Sequence, residues 1–364
     1  MVMDLNVQVA GSRCDVSFAD ARINFVADGL EISDTAATLA ALWVVLPLAM
    51  QRGAHVRIKH PIDPVAVENA RHLVNIWSRW APEEFRWIDI LAEERTAQAT
   101  AATSRLYFFS GGLDSHSMLV RTGSFSPHDH ALTILGLDYK EGDSKFQDLL
   151  RKTDPTLTAF GLGRLIVRTN AGRVLRNLRL NHGFVLASAG FLLSDRFASC
   201  HLSADGNSED EFLVFPWGTN SVTNKLFKAS GYSLITECLD ESRSAKISRM
   251  MKNPSFLPNL TFCSDSRFRP DNCGVCGKCV RTKLSFLVMA GRVPEIFVKN
   301  GYDEASIDKL NFRDRVIFKS LISLVQDSGP DFDNPVVRVI KAKLDQEAYR
   351  RSKVRRWGSL LGWS

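Results

Sequence analysis

Residues 105–116 read RLYFFSGGLDSH, and this stretch decides the fold. The apolar run stops at Ser110, two glycines follow, and apolar residues return at helical spacing over 115–121. This pattern predicts a strand, a tight turn and a helix. The alternation continues with strands predicted at ALTILGLD, RLIVRT and RFASCHL and helices over 143–152 and 183–194. We therefore expect an α/β fold, with a parallel sheet and helices on both of its faces.

The turn between this strand and this helix has the composition of a phosphate-binding loop. Two glycines let the backbone approach an anion closely, and the N–H groups at a helix start attract phosphate. Ser110 and Ser115 add hydroxyl donors, and Asp114 has Mg²⁺ binding as its natural role beside phosphates. A purely structural turn accounts for one glycine but not for the whole string. The loop is therefore interpreted as a nucleotide-phosphate cradle.

The string belongs to neither of the two best-known nucleotide loops, because the chain contains no G-x-x-x-x-G-K-[ST] and no G-x-G-x-x-G. It resembles the S-G-G-x-D-S loop of the N-type ATP pyrophosphatases, or PP-loop enzymes. The resemblance implies an adenine nucleotide alpha hydrolase-like sheet and cleavage of ATP to AMP and pyrophosphate while a substrate oxygen is adenylated. The ATP-binding residues that it implies are Ser110, Gly111, Gly112, Leu113, Asp114 and Ser115.

Four of the seven cysteines crowd into TFCSDSRFRPDNCGVCGKCVR, residues 261–281. The spacing C-x9-C-x2-C-x2-C predicts an all-thiolate Zn²⁺ site at Cys263, Cys273, Cys276 and Cys279. Gly274 and Gly277 allow the sharp turns between ligands. The negative charge of four thiolates would be offset by the neighbouring Arg267, Arg269, Lys278 and Arg281. A redox C-x-x-C pair or an iron–sulfur cluster is the alternative, although a redox pair typically lies near the start of a βαβ unit.

The loop and the cysteine cluster together resemble the 7-cyano-7-deazaguanine synthases. These zinc-containing enzymes convert a carboxylate, through an adenylate and an amide, to a nitrile. The resemblance covers roughly 105–290 and includes Asp138 after the second strand of this part of the chain and Arg243 with Lys246 before the cluster. It implies that Asp138 binds ATP and that Asp114 and Lys246 are catalytic.

Three residues depart from the family pattern. Lys140 and Glu141 stand where the family has Gly-Gln, and His116 stands where Thr is usual. The resemblance still implies an adenylating ligase that uses ATP, Mg²⁺ and Zn²⁺, and that activates a substrate carboxylate or amide oxygen as an adenylate for attack by a nitrogen nucleophile. It would act on a deazapurine-like or other small carboxylate substrate with an ammonia-type nitrogen donor.

Polar side chains beside an aromatic residue mark the segment that follows the predicted fourth strand, SADGNSEDEFLVFPWGTNSVTNKLF. Such a set at the carboxyl end of a strand can stack on a planar ring and hydrogen-bond to it. A solvated loop capped by its own Asx turns is the alternative. The candidate substrate residues are Asp205, Asn207, Trp217, Thr219, Asn220 and, before the cluster, Arg243.

Four ranges are expected along the chain. An α+β domain over 1–100 begins with antiparallel strands at LNVQV, CDVSF and RINFV, and the polar run 93–104 marks its end. A PP-loop domain follows over 105–260, and a zinc-binding segment with the four clustered cysteines follows over 261–292. A helical region over 293–364 ends in the basic tail YRRSKVRRWGSLLGWS.

Composition leaves the partners open. The net charge of +6 permits a nucleic-acid partner without requiring one, and the basic tail is the place where one would bind. The most apolar stretch, 36–50, is too short for a membrane span and is expected to be a core helix. A cytoplasmic location is expected from the lack of an export signal. Thiolation of tRNA or a small molecule through Cys273, Cys276 or Cys279, a silent nucleotide- or partner-binding role, and a homodimer all stay open.

Overall fold

The structure, a computed structural model, describes residues 1–95, 102–302, 305–329 and 334–360, and the side chains of 349 and 351–360 lie outside that description. The chain forms two compact units. The sheet unit comprises Met1–Ser110, Arg121–Asp205 and Pro216–Leu239. The helical unit comprises Gly111–Val120, Gly206–Phe215 and Asp240–Ser364. Each is described separately.

The sheet unit opens with the three antiparallel strands that the period-2 alternation predicts. They are β1 (Val2–Ala10), β2 (Arg13–Phe18) and β3 (Ala21–Ala27). Strand β4 (His55–Ile62) pairs in parallel with β1, and β5 (Ile90–Glu94) pairs in parallel with β4.

The first two helices begin at capping signals that the sequence carries. Helix α1 (Asp34–Arg52) starts behind Ser33, whose hydroxyl accepts from Ala36 N. Helix α2 (Pro64–Trp80) starts behind Asp63 in the same way, with proline in its first position. Helix α1 is longer than the apolar stretch 36–50, so by length and composition it could cross a membrane, contrary to the expectation from that stretch. However, 83 % of its most apolar window is buried inside the fold, which identifies the expected core helix.

The later strands of the sheet unit run parallel. They are β6 (Arg105–Phe108), β7 (His130–Leu135), β8 (Gly163–Thr169), β9 (Ser199–Ser203) and β11 (Tyr232–Glu237), with the short β10 (Lys228–Ala229) antiparallel to β11. Their spatial order is β8-β7-β6-β9-β11, so the direction of strand addition reverses between β6 and β9. In open α/β sheets, ligands bind outside the carboxyl ends of strands at such a reversal.

One antiparallel pairing joins the two groups of strands into one sheet, which has eleven strands within the described residues. Strand β3 pairs with β8, with Phe25 opposite Thr169 and Ala27 opposite Val167. The first hundred residues therefore extend the same sheet, and the two compact units do not coincide with the four ranges expected from the sequence. The expected boundary over 93–104 falls partly in β5 and partly on 96–101, outside the described residues.

Helices flank this large, mostly parallel sheet, as predicted for an α/β protein. The main core packs α1, α2 and α6 (Leu178–Phe191) against the sheet, with Trp43, Trp77 and Phe184 at its centre. A second apolar cluster places Phe146 and Leu149 of α4 (Lys145–Phe160) against Leu135 and Ile166. The short helices α5 (Ala171–Val174) and α7 (Ser221–Asn224) complete this unit.

The helical unit is built around α8 (Arg243–Lys252), α9 (Gly277–Ala290) and α11 (Arg315–Asp327). It also holds α10 (Ala305–Asp308), α12 (Pro335–Leu360) and most of α3 (Leu113–Thr122). One apolar cluster links α9, α11 and α12, and another links α3, α8, α9 and the cysteine segment. Beyond residue 293, residues 293–302 contain no helix, and α10, α11 and α12 account for most of the remaining described residues. The charged side chains of the tail lie almost wholly outside the description.

Candidate functional site

The loop that follows β6 leads directly into helix α3, as the sequence predicts. Gly111 has φ +79°, a conformation that glycine adopts without strain, and its carbonyl accepts from Thr261 N at 2.9 Å. The carbonyl of Gly112 accepts from His116 N at 3.1 Å and from the Ser115 hydroxyl at 3.1 Å. Because the His116 bond is the first i→i−4 bond of α3, the N–H groups over 113–115 precede the helical hydrogen-bond ladder.

This loop leaves the sheet at the strand reversal. Ser110, exposed, is the last residue of the sheet unit after β6, and Asp205, also exposed, ends the next segment of that unit after β9. Strands β6 and β9 are the neighbours between which the order reverses. The predicted phosphate loop and the predicted substrate segment therefore both begin at the place where doubly wound sheets bind ligands.

Asp114 is held between two cations inside the helical unit. Its Oδ1 lies 3.2 Å from Lys246 Nζ, and its Oδ2 lies 3.4 Å from Arg243 Nη1. The Lys246 side chain is fully buried, the Arg243 side chain is 11 % exposed, and that of Asp114 is 28 % exposed. The structure thus brings together the two residues predicted to be catalytic and adds Arg243, which the sequence analysis assigned to the substrate.

The electrostatics of this group keep Asp114 ionised. Burial opposes its ionisation, but the charges of Lys246 and Arg243, the Lys246 hydrogen bond and the charge of Arg281 outweigh burial and lower the pKa of Asp114 below its ordinary value. Three cations therefore act on one carboxylate. Among the described residues, the buried Nε of Arg243 has no hydrogen-bond partner. Cationic side chains beside a helix N-terminus favour the binding of an anion.

Helix α8 positions Lys246 through its own start. Ser242 caps the helix by accepting from Ala245 N at 3.2 Å, which places Lys246 in the first turn. Arg249, one turn on, donates to Ser117 Oγ of α3 at 2.8 Å and forms an ion pair with Glu241. These contacts fix α8 against α3, so that Lys246 faces Asp114.

The four clustered cysteines have the geometry of a metal site. Their Sγ atoms all lie within 4.8 Å of one another, with 3.9 Å between Cys263 and Cys276 and 3.8 Å between Cys273 and Cys279. Four sulfurs at about 2.3 Å from a central Zn²⁺ form a tetrahedron with edges of about 3.8 Å. These distances far exceed a disulfide bond of about 2.05 Å. The cluster can therefore hold zinc, as predicted.

Hydrogen bonds already organise these sulfurs. Cys273 Sγ accepts from Val275 N at 3.4 Å and from Cys276 N at 3.3 Å. The hydrogen bond from the Cys279 thiol is the main cause that lowers the pKa of Cys276 to about 3, and the same bond raises the pKa of Cys279. Burial raises the pKa of Cys263 to about 11. A divalent cation bound by the four sulfurs would favour the thiolate form of all of them.

The segment around the cluster is fixed by three features. Asn272, fully buried, donates to Leu260 O at 2.9 Å and accepts from Phe262 N at 2.9 Å. Gly274 has φ +80°, and a Cβ there would lie 2.1 Å from Lys299 O, so only glycine fits. The buried ammonium of Lys283 lies 2.9 Å from that Cβ position, and it donates to Gly301 O at 2.9 Å.

The charges that offset the thiolates differ in part from those expected. Arg267 pairs with Asp265, and Arg269 donates to Cys263 O at 2.8 Å. Arg281 donates to Ser320 Oγ at 2.9 Å, and Lys278 is exposed. Lys283 of α9 is buried with its ammonium beside Gly274, and the sequence analysis missed it because a lysine in the middle of an amphipathic helix ordinarily faces solvent.

Three of the predicted substrate residues form one group in the sheet unit. Asp205 Oδ2 accepts from Trp217 Nε1 at 2.7 Å and from the Thr219 hydroxyl at 2.9 Å. The imidazole of His182 extends the group, since its Nε2 lies 3.0 Å from Thr219 Oγ1 and its ring packs on Trp217. This is a polar group with an aromatic wall, and a planar ligand can use both.

The other predicted residues serve local structure or stand apart. Asn220 caps α7 by accepting from Val222 N and Thr223 N, and Asn207 accepts from Asp210 N at 3.2 Å. These are the Asx turns that the sequence analysis gave as the alternative. Asp138 is exposed in the turn after β7, in the sheet unit.

Thr282 is the other residue that the sequence analysis missed. Its hydroxyl donates to Lys278 O at 2.8 Å and its oxygen accepts from Arg243 Nη2 at 3.2 Å. No short motif marks such a residue, because its role depends on the packing of α9 against α8.

Comparisons of the chain with protein-family models, with curated proteins and with solved structures give no match.

Proposed function

We propose that this chain is an ATP-dependent adenylating enzyme of the PP-loop type. The observation that carries the proposal is the Lys246–Asp114–Arg243 group at the start of α3, immediately after the S-G-G-x-D-S string. The strand reversal between β6 and β9, from which this loop departs, supports the same location for a nucleotide.

The charge balance favours a polyphosphate over a neutral ligand. Lys246 and Arg243 both contact Asp114, and the charge of Arg281 also acts on that carboxylate. Charge-assisted hydrogen bonds from such cations to phosphate are among the stronger ones. The unpartnered Nε of Arg243 and the first N–H groups of α3 are donors suited to phosphate oxygens.

The residues present also suit a magnesium ion. Mg²⁺ in phosphate sites typically takes one or two carboxylates together with substrate phosphates and water. Asp114 remains ionised and is 28 % exposed, so it can supply a carboxylate oxygen. When bound, the ion would neutralise charge on the leaving pyrophosphate.

The proposed reaction uses ATP to turn a poor leaving group into a good one. A carboxylate oxygen of the substrate attacks the α-phosphorus, and the bond to the bridging oxygen breaks as pyrophosphate leaves. A nitrogen nucleophile then attacks the acyl carbon, AMP departs and the nitrogen loses a proton. Lys246 and Arg243 would hold the phosphates in line and stabilise the charge that accumulates on them. Asp205, Trp217 and Thr219 would hold the substrate.

The cysteine cluster favours a nitrogen nucleophile over the thiolation alternative. Sulfur transfer requires Cys273, Cys276 or Cys279 as a free nucleophile, whereas all four sulfurs lie within 4.8 Å of one another. A structural zinc site uses all four. The finer assignment, conversion of a carboxylated deazapurine to its amide or nitrile, rests on the resemblance of the two motifs alone.

The test supplies the protein with Mg-ATP, ammonium and 7-carboxy-7-deazaguanine and follows all products by mass spectrometry. We expect AMP, pyrophosphate and a deazapurine amide or nitrile, all of them lost in Asp114→Ala. AMP and pyrophosphate formed only with another carboxylate would retain adenylation and replace the acceptor. ADP and phosphate, or no turnover with any acceptor, would contradict the proposal.

A further inference from the structure

Helix α9 connects the cysteine cluster to the Asp114 group. Its N-cap is Cys276, and its first turn carries Cys279. The first hydrogen bond of the helix runs from Val280 N to Cys276 O at 2.9 Å. Thr282 lies three residues after Cys279, a rise of about 4.5 Å along the helix. The position of Thr282 is therefore set by the turn that carries two of the four sulfurs.

Thr282 presents an acceptor, and not a donor, to Arg243. The hydroxyl proton is used in the 2.8 Å bond to Lys278 O, so the oxygen lone pairs are free to accept from Arg243 Nη2 at 3.2 Å. The other terminal nitrogen of the same guanidinium lies 3.4 Å from Asp114 Oδ2. One side chain thus joins α9 to the carboxylate at the start of α3.

Few contacts hold Arg243 in this position. Its side chain is 11 % exposed, and its Nε has no partner among the described residues. Within that part of the chain, the guanidinium donates to Thr282 and to Asp114. A guanidinium without the Thr282 bond would lose its fixed orientation, because Asp114 alone offers a single, long contact.

We propose that Thr282 is a positioning residue through which metal binding at the cysteine cluster sets the orientation of Arg243. Through Arg243 it also sets the order of residues 111–116, which comprise the end of the loop and the first residues of α3. Metal loading would then control affinity for Mg-ATP without a ligand of the metal touching the nucleotide. This inference rests on the proposed function for its link to ATP, but not for the link between the metal and the loop.

The test compares Thr282→Val with Thr282→Ser and with Ser285→Ala in the full chain. Ser285 is the matched control because its hydroxyl bonds to Arg281 O at 3.1 Å on the same helix, one turn on, and contributes nothing to Arg243. All variants are expected to bind one Zn²⁺ per chain. Thr282→Val should weaken Mg-ATP binding about tenfold, the size of a lost hydrogen bond to a charged group. Thr282→Ser and Ser285→Ala should stay within about threefold.

A readout without ATP separates this inference from the proposed function. Amide hydrogen exchange of residues 111–116 is measured with Zn²⁺ bound and after its removal by a chelator. In the wild-type chain and in Ser285→Ala, metal removal should speed exchange over 111–116 at least about threefold. In Thr282→Val the exchange over 111–116 should already be fast and should respond little to the metal.

Failure of Mg-ATP binding in the wild-type chain, with the exchange pattern intact, would overturn the proposed function and leave the metal-to-loop link standing. An equal metal response in Thr282→Val and the wild-type chain would overturn the link, as would a wild-type chain whose exchange over 111–116 ignores the metal. A wild-type chain that binds no Zn²⁺ would also overturn it.

Discussion

Replacing Asp114 by asparagine tests whether this carboxylate is the counter-charge of two buried cations. The substitution keeps the size of the side chain and an acceptor oxygen, and it removes the carboxylate charge that pairs with the fully buried Lys246 and the nearly buried Arg243. Breaking a buried ion pair on one side costs about 3–5 kcal/mol. Because Asp114 is 28 % exposed and asparagine still accepts a hydrogen bond, we expect the free energy of unfolding to fall by about 2–4 kcal/mol.

The assay is urea unfolding of the zinc-loaded protein, with Asp345→Asn as the control because that carboxylate is exposed on α12. The control should change the free energy of unfolding by less than about 0.5 kcal/mol. The double variant Asp114→Asn/Lys246→Met should recover at least half of the loss, since it leaves one buried cation fewer. A loss below about 0.5 kcal/mol in Asp114→Asn, or a double variant less stable than the single one, would refute the argument.

The same variant has a defined dependence on pH. The folded-state pKa of Asp114 is lowered, so its contribution to stability is present above the unfolded-state value of about 3.9 and is lost as the pH falls through the lower folded-state value. The stability difference between the wild-type chain and Asp114→Asn should therefore be the same at pH 7 and pH 5 and shrink below about pH 4. If the stability difference shrinks between pH 7 and pH 5, a group other than Asp114 is responsible for it.

Three further outcomes follow from the geometry. Gly136→Ala should lower the free energy of unfolding by more than about 3 kcal/mol, because the added Cβ would lie 1.8 Å from Thr169 O. Gly142→Ala, at φ +82° with open space around the Cβ, should lower it by about 1 kcal/mol. Equal losses of the two variants in urea unfolding would contradict this prediction. Cys279→Ser should lower the zinc content, measured by metal analysis, to well below one ion per chain. Cys200→Ser, outside the cluster, should keep the wild-type zinc content. An unchanged zinc content in Cys279→Ser would exclude this set of ligands. In calorimetry, Asp114→Asn should bind metal-free ATP at least as tightly as the wild-type chain, because the substitution removes a carboxylate that repels the phosphates. Weaker binding would contradict the role of Asp114 as a ligand of Mg²⁺.

Local sequence signals predicted most elements because the physics that forms them is local. Period-2 alternation of apolar residues predicted β1 to β3, and the two glycines between an apolar run and a helical pattern predicted the turn from β6 into α3. Strand β5 was missed because ILAEE buries Ile90 alone and pairs through a non-local partner, β4. The continuity of the sheet was missed for the same reason, since nothing within β3 or β8 specifies that they pair.

The same distinction between local signals and contacts of distant segments applies to the candidate site. Asp114 and the four cysteines were predicted because their spacing within one segment carries the chemistry, whereas Thr282 and Lys283 act through contacts with distant segments. Arg243 shows the intermediate case. Its residue type indicated an anion-binding role, but its position against Asp114 follows from the packing of α8 against α3.

The most direct test of the central claim is an experimental structure of the zinc-loaded chain with Mg²⁺ and the non-hydrolysable analogue α,β-methylene-ATP. The account predicts that the phosphates contact the N–H groups over 111–115 and the side chains of Lys246 and Arg243, with the metal ion bound by Asp114. Phosphates bound elsewhere on the chain, or no binding at millimolar analogue, would contradict it.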